Sequence, residues 1–283
     1  MIDALLAHIG LPGGVRADRE GLFAIHRAYL EHVPYEDIAV QLGETGPLDF
    51  ETLAERVLSG RGGYCFELNT VLAGLLRAVG FSVTHHQSVV GGSGETNHMA
   101  LVVGGAWIAD AGLGEGFLDP LPLREGANTI GPFTYSLERE PAGTWWMRQH
   151  QWGSVNGFRM QPEPSTLADF EPHHRRLATD PASSFVQTLV VQKPERDRII
   201  TLRSRTLSSI GPTVNSKHVI ADLPEFSSVL GTFGITLDGE RLERLWDAAR
   251  TQHEAFLARR AGEPSHVVPS PGGTRLAAHE VES

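Results

Sequence analysis

Cys65 is the only cysteine of the chain, and it stands in the string Arg61-Gly62-Gly63-Tyr64-Cys65-Phe66-Glu67-Leu68-Asn69, just after two glycines and at the predicted start of a helix. A lone cysteine forms no intramolecular disulfide and no cysteine-based zinc site. It is either an inert small hydrophobe of the core or a nucleophile. Its position favours the nucleophile. Free amides and the positive end of a helix dipole favour negative charge, and thiolates rather than thiols attack carbonyls. The same amides can serve an oxyanion as it forms on an attacked acyl carbon.

A sulfur used in this way needs a base, and with 13 histidines in the chain proximity in sequence decides little. Local geometry decides more. His98-Met99-Ala100-Leu101-Val102-Val103 and Ala106-Trp107-Ile108-Ala109-Asp110 flank Gly104-Gly105, a strong hairpin signal. Such a hairpin brings His98 near Asp110, a carboxylate that can orient the imidazole. Register decides whether they meet. A two-residue turn pairs Met99 with Asp110 and turns His98 to the opposite face. A three-residue turn, or one bulge, pairs Ala100 with Asp110 and leaves His98 as its same-face diagonal neighbour, about 7–8 Å away between backbones. The odd register or a bulge is therefore expected, and opposite faces would remove the triad.

The elements that must hold these groups follow from periodicity. Asp18 caps a helical pattern through Leu22, Ile25, Tyr29, Leu30 and Val33 that Pro34 stops. Asp49 caps a second, through Leu53, Val57 and Leu58. A third runs from Cys65 through Leu68, Leu72, Leu75, Leu76 and Val79 to a stop at Gly80. From Phe81 to about Arg205 the period changes to short β-rich runs: Ser82 to Val90, His98 to Val103, Trp107 to Ala111, Phe133 to Leu137, Trp145 to Gln149, Asn156 to Gln161, Val186 to Gln192 and Ile199 to Arg203. Strands at this spacing suggest a barrel or sandwich. Helices are expected again near Leu223 to Phe233 and from Asp238 to Phe256. The expected organisation is thus a helical bundle bearing the cysteine over 1–80, a β-barrel bearing His98 and Asp110 over 81–205, mixed structure over 206–262 and a disordered tail over 263–283.

Composition narrows the classes. The 283 residues are 41% apolar and 20% charged, which fits a globular chain with a sizeable core. Formal net charge is −10, and the 24 basic residues are scattered singly or in pairs. Nucleic acid is therefore a poor partner. No stretch has the roughly 18 apolar residues that span a bilayer, and the first residues lack a basic and apolar leader pattern. A cytoplasmic location with no membrane partner is expected.

The segment RGGYCFELN resembles the arylamine N-acetyltransferases, as do His32-Val33-Pro34-Tyr35-Glu36-Asp37 before it and Asn97-His98-Met99 and Ala109-Asp110-Ala111-Gly112-Leu113-Gly114 after it. The likeness runs from roughly Leu6 to Phe256. It implies an α+β fold of helical bundle, β-barrel and α/β lid around a cysteine-protease-like Cys-His-Asp core. It also implies ping-pong acyl transfer: Cys65 takes an acetyl group from acetyl-coenzyme A and passes it to an arylamine or hydrazine. His98 would pair with the sulfur and Asp110 would fix the imidazole. Glu36 and Arg61 match positions of a supporting ion pair, with solvated charges as the alternative. Acetyl-coenzyme A enters as a co-substrate, with no metal and no tightly bound cofactor implied.

Tyr35, Gly112, Gly114, Phe117 and Phe185 are the residues that the resemblance puts at the substrate or coenzyme A pocket. The glycines, with Gly116, could let a pyrophosphate approach backbone amides, or they could simply be barrel turns; the two Phe residues could wall the acyl pocket or sit in the core. The pairs His85-His86 and His173-His174 read as structural or solvated. Tyr35 and Asp37 stand where Phe and Asn are usual, and Leu113 replaces a usual Phe, which bears on the acceptor. An alternative function keeps the chemistry and changes the substrate. Amide synthases of ansamycin-type pathways close macrolactams from a polyketide carried on an acyl carrier protein. A cysteine hydrolase and a non-catalytic binding domain are the rivals from other classes.

Overall fold

The helices of the computed structural model, which describes residues 1–92 and 94–262, begin where the sequence offers a cap. The expected tail over 263–283 lies outside the described residues. After α1 (Ile2–His8), the Asp18 carboxylate accepts the Gly21 N–H at 2.9 Å and opens α2 (Arg19–His32). Strand β1 (Tyr35–Glu36) and α3 (Ile38–Leu42) follow, and Asp49 caps α4 (Phe50–Leu58) through the Thr52 N–H at 2.9 Å. Helix α5 (Cys65–Val79) has its own device: buried Glu67 reaches back to accept the Tyr64 N–H at 3.2 Å and pairs with Arg56 at 2.7 Å. It ends at Gly80, whose φ of +115° is open to glycine and costly for other residues. Phe66, Leu68, Val71, Leu72, Leu75 and Leu76 are all buried, so α5 forms the centre of the helical core.

Strands β2 (Val83–Val90), β3 (His98–Val103), β4 (Trp107–Ala109), β5 (Leu121–Pro122), β6 (Gly126–Ile130), β7 (Phe133–Arg139), β8 (Trp145–Arg148) and β9 (Gly157–Ser165) make one antiparallel sheet. Its order is β5-β4-β3-β2-β9-β8-β7-β6, and it curls into a nearly closed barrel. Alternation assigns its two faces. Ala100, Val102 and Ile108 pack with Leu137, Met147 and Phe158, while Met99, Leu101, Val103 and Ala109 join the core of α5. Strand β3 is consequently buried at every position.

In the β3–β4 hairpin Val103 pairs with Trp107 and Leu101 with Ala109. The loop is three residues long, with Gly104 and Gly105 both at positive φ. This is the odd register, and it carries Asp110 to the level of Ala100, on the face that His98 shares.

The second sheet departs from the expected boundaries. Beyond α6 (Leu167–Thr179) and α7 (Ser184–Gln187), strands β10 (Val190–Pro194), β11 (Ile199–Arg203), β12 (Thr206–Ile210) and β13 (Asn215–Val219) pair in the order β1-β10-β11-β12-β13. The runs ending at Gln192 and Arg203 therefore do not belong to the barrel. A two-residue turn at Ser204-Arg205 ties β11 to β12, with Arg203 opposite Thr206. The expected strand from Val186 is helical at its start, because the Ser183 hydroxyl caps α7 through the Phe185 N–H at 3.3 Å. Helix α6 was not foreseen within the β region; Asp169 caps it by accepting the Thr166 N–H at 2.8 Å, and Phe170, His174 and Leu177 form its buried stripe. Helices α8 (Leu223–Thr232) and α9 (Gly239–Gly262) join α3 over this sheet through Ile38, Val191, Leu202, Phe226 and Trp246. Trp146 is covered by the guanidinium groups of Arg148 and Arg159, 3.3 and 3.9 Å from its ring centre.

Candidate active site

Cys65 is the first residue of α5 and lines a pocket of about 240 Å3 together with Tyr35, His98, Phe185, Gln192 and Arg203. Its sulfur is 2% exposed as part of that residue, lies 3.4 Å from the Asn97 carbonyl oxygen and hydrogen-bonds to His98. His98 reaches Asp110 by its other side: Nε2 is 2.7 Å from Asp110 Oδ2. The hairpin register thus brings the ring and the carboxylate together, and the start of α5 brings the sulfur to the ring.

Asp110 is held from every direction. Its Oδ1 accepts the Asn69 side-chain amide at 2.8 Å and the Gly112 N–H at 2.7 Å. Asn69 also donates to the Met99 carbonyl at 2.6 Å and accepts the Ala111 N–H at 2.9 Å. The Asp110 N–H donates to His26 Nε2 at 3.0 Å, and His26 Nδ1 lies 3.0 Å from the Leu118 carbonyl. These contacts require a neutral His26 with its proton on Nδ1, and burial lowers its pKa accordingly. Asn69 and His26 were not singled out from the sequence. Asn69 had a readable signal, since it lies four residues after Cys65 on the same helix face; His26 lies 84 residues from Asp110 in sequence and had none.

Burial alone would lower the His98 imidazole. The Asp110 charge and hydrogen bond, with the Cys65 sulfur, outweigh that effect and push it up to about 10. His98 is thus an imidazolium at neutral pH, placed between a carboxylate and a sulfur. Such a cation can stabilise a thiolate, release a proton to a leaving group and regain it from an attacking nucleophile.

Around this centre Glu36 and Arg61 do pair, at 2.9 Å, and Glu36 also accepts the Gly62 and Ile38 N–H groups at 3.1 and 2.6 Å. The pair therefore ties β1 to the glycine turn before Cys65. Of the pocket candidates, Tyr35, Gly112 and Phe185 line the cavity. Phe117 does not: it is fully buried in the barrel, stacked on His26 and edge-on to Tyr135. Gly112 and Gly114 are explained by close packing. A Cβ on Gly112 would lie 2.6 Å from Cys65 Cα, and one on Gly114 would lie 2.4 Å from Gln192 Oε1. His174 bridges the Tyr64 hydroxyl and the Gly46 carbonyl, and His86 contacts the Gln161 carbonyl, so both are structural. Among the described residues no cluster of three or more His, Cys, Asp or Glu is placed to hold a metal, and no helix is long and apolar enough to cross a membrane.

A family model described as N-acetyltransferase matches residues 18–242. Arylamine N-acetyltransferase 1 of Bos taurus is 28% identical over 221 residues, covering 65% of this chain and 74% of its own. Proansamycin X synthase of Amycolatopsis mediterranei (strain S699) is 23% identical over 246 residues, covering 81% and 95%. The structure of Mycobacterium marinum arylamine N-acetyltransferase in complex with CoA superimposes with a TM-score of 0.81 at 22% identity, covering 89% of this chain and 99% of that one.

Proposed function

The chain belongs to the arylamine N-acetyltransferase family, and on that premise we propose that it carries an acyl group on Cys65 from acetyl-coenzyme A to an arylamine or hydrazine nitrogen. The observation that carries this reading is the run of contacts from the Cys65 sulfur through His98 to Asp110 at the mouth of a cavity. In the first half-reaction the sulfur attacks the thioester carbonyl, the C–S bond to coenzyme A breaks, and the His98 imidazolium gives its proton to the departing thiolate. Amides of the first turn of α5, which have no partner within the helix, are available to the oxyanion. In the second, the amine nitrogen attacks the acyl-cysteine, His98 takes its proton, and the Cys65–carbon bond breaks to restore the thiolate–imidazolium pair.

Acylation removes the negative charge that helps hold the His98 proton, so the ring becomes the better base when the amine must be deprotonated. Asp110 keeps the imidazole in one tautomer and orientation throughout. Glu36 and Arg61 act one step away, by fixing the turn that delivers Cys65.

Initial rates at several concentrations of each substrate test the two-stage scheme. Parallel double-reciprocal lines are expected; intersecting lines would mean that both substrates must be bound together. A second reading, an amide synthase acting on a carrier-bound polyketide, is favoured by the likeness to proansamycin X synthase over nearly the whole of that chain. It predicts acylation by a carrier-protein thioester and none by acetyl-coenzyme A.

A further inference from the structure

The chain has four tyrosines, and three of their hydroxyls have partners within the protein. Tyr29 donates to the Leu68 carbonyl at 3.3 Å, Tyr135 donates to the Gly116 carbonyl at 3.2 Å, and the Tyr64 hydroxyl meets His174. The Tyr35 hydroxyl makes no hydrogen bond among the described residues. Nor is it sealed in the interior, for Tyr35 lines the Cys65 pocket and its hydroxyl opens on it. Phenol O–H groups held inside a protein nearly always find a partner, so the partner of this one has to come from the pocket.

The backbone fixes where that hydroxyl stands. Strand β1 is paired along both edges at Tyr35, with Gln192 of β10 on one side and with Gly63, two residues before Cys65, on the other. The Glu36 N–H closes the second edge by donating to the Gly63 carbonyl at 2.9 Å. The ring lies against the chain after Asp110, since a Cβ on Gly114 would come within 2.9 Å of Tyr35 Cγ. Tyr35 is therefore wedged between the turn that delivers the sulfur and the loop that follows the Asp110 carboxylate. Its phenol keeps its proton: burial raises it well above the usual range, and the charges of Cys65, Asp37 and Glu115 add to that effect while Arg203 opposes it. The hydroxyl is thus a hydrogen-bond donor at neutral pH.

What a neutral donor in this pocket can serve follows from the chemistry. The amine must give a proton to His98 and attack with its lone pair, which leaves it nothing with which to accept from a phenol. The acyl carbonyl oxygen is an acceptor, gains negative charge in both half-reactions, and is present whatever thioester supplies the acyl group.

We propose that Tyr35 is a further catalytic residue, whose hydroxyl donates a hydrogen bond to the acyl oxygen on Cys65 alongside the amides of the first turn of α5. The proposal rests on the acyl-cysteine reading. As the sulfur attacks, the bond from Cys65 Sγ to the carbonyl carbon forms, the carbonyl π pair moves onto oxygen, and Tyr35 holds that charge without giving up its proton. The pair returns as the bond to the donor sulfur breaks, and the donor thiol leaves with the His98 proton. The same oxygen is charged again when the amine attacks and Cys65 leaves.

Tyr35→Phe removes the hydroxyl and keeps the ring, and an unchanged thermal midpoint checks the fold. Acylation of Cys65 by para-nitrophenyl acetate, a donor that needs neither coenzyme A nor a carrier protein, should slow at least about tenfold, and so should transfer from acetyl-Cys65 to an arylamine. Alkylation of Cys65 by iodoacetamide passes through no oxyanion and should keep its wild-type rate. In isotope-edited infrared spectra the labelled acetyl carbonyl on Cys65 should move to higher frequency in the variant, because it has lost a hydrogen bond. A smaller loss of rate in either step, or an unmoved carbonyl band, overturns the proposal. So does alkylation that slows in step with acylation, since Tyr35 would then only position the sulfur. Wild-type protein that takes no acyl group from para-nitrophenyl acetate or from acetyl-coenzyme A overturns the acyl-cysteine reading and the proposal together, a result distinct from any that concerns the variant alone.

Discussion

Asp110 presents one carboxylate oxygen to His98, 2.7 Å from Nε2, while its other oxygen is held by Asn69 and Gly112. Replacement by Asn keeps the shape and removes the charge. Asp110→Asn should lower the acyl-transfer rate on the order of 10³–10⁴-fold with the fold intact. It should also bring the His98 imidazole down from about 10, which NMR titration of the ring reads directly. The sign of the accompanying stability change follows. A raised imidazole contributes its full stabilisation below its ordinary 6.5 and loses it as pH rises through about 10, so the alkaline slope of wild-type stability should flatten in the variant.

Asn69 spans from α5 to β3 and to the chain after β4, through Met99, Asp110 and Ala111. Asn69→Ala leaves three buried groups without this partner and should cost about 1–3 kcal/mol in urea unfolding. Because Asp110 loses its anchor, kcat should fall more than KM rises.

Gly112 touches α5 where the sulfur emerges, and a methyl there would come within 2.6 Å of Cys65 Cα and 2.7 Å of Cys65 Cβ. Gly112→Ala must push the start of α5 or the chain after Asp110 aside. A loss of about 1–3 kcal/mol is expected, together with slower alkylation of Cys65 by iodoacetamide. The same substitution at Gly231, inside α8 where nothing lies within 4 Å, should cause neither loss.

Asp37 is buried, its Oδ1 accepts the Val190 N–H at 2.9 Å and its Oδ2 has no partner. Burial, with the nearby Glu36 charge, raises its carboxyl well above the usual range. A protonated carboxyl there has the shape and polarity of an amide, which explains how Asp stands where the family pattern has Asn. Stability contributed by that proton is present at low pH and is lost as pH rises from the ordinary value of 3.8 toward the raised one. Asp37→Asn should therefore raise the thermal midpoint at neutral pH and leave it nearly unchanged near pH 4.

Two other histidines bear on stability in acid. Burial lowers His85 and His150 to about 4, and both His150 ring nitrogens lack partners among Phe133, Tyr135 and Trp152. A lowered imidazole stabilises fully above its ordinary 6.5 and loses that contribution as pH falls toward 4. His150→Phe should hold its urea midpoint across that interval while the wild type drops.

The parts of the fold visible in the sequence are those fixed by short-range rules. Helix α5 has a continuous apolar pattern and a terminal glycine, and β3 and β4 flank two glycines, so Cys65, His98 and Asp110 could be named together, and the face of the hairpin followed from counting residues in its turn. Sheet membership was not visible in this way. Strands β10 and β11 alternate like barrel strands, and only pairing with β1, remote in sequence, and with β12 assigns them elsewhere. Helix α6 hid behind Pro172 and its charged face, although Thr166-x-x-Asp169 announces its start. For Phe117 pocket wall and core are both open in the sequence, because Phe fits either role; its complete burial and its contact with His26 make it barrel core.

Intact mass spectrometry of the protein mixed with acetyl-coenzyme A, before and after an arylamine is added, tests the central claim most directly. One acetyl group should appear on the chain, map to Cys65, persist in buffer and leave on addition of the amine as the N-acetyl product. Acetylation that maps elsewhere, or amine acetylation that continues in Cys65→Ala protein, would contradict the account.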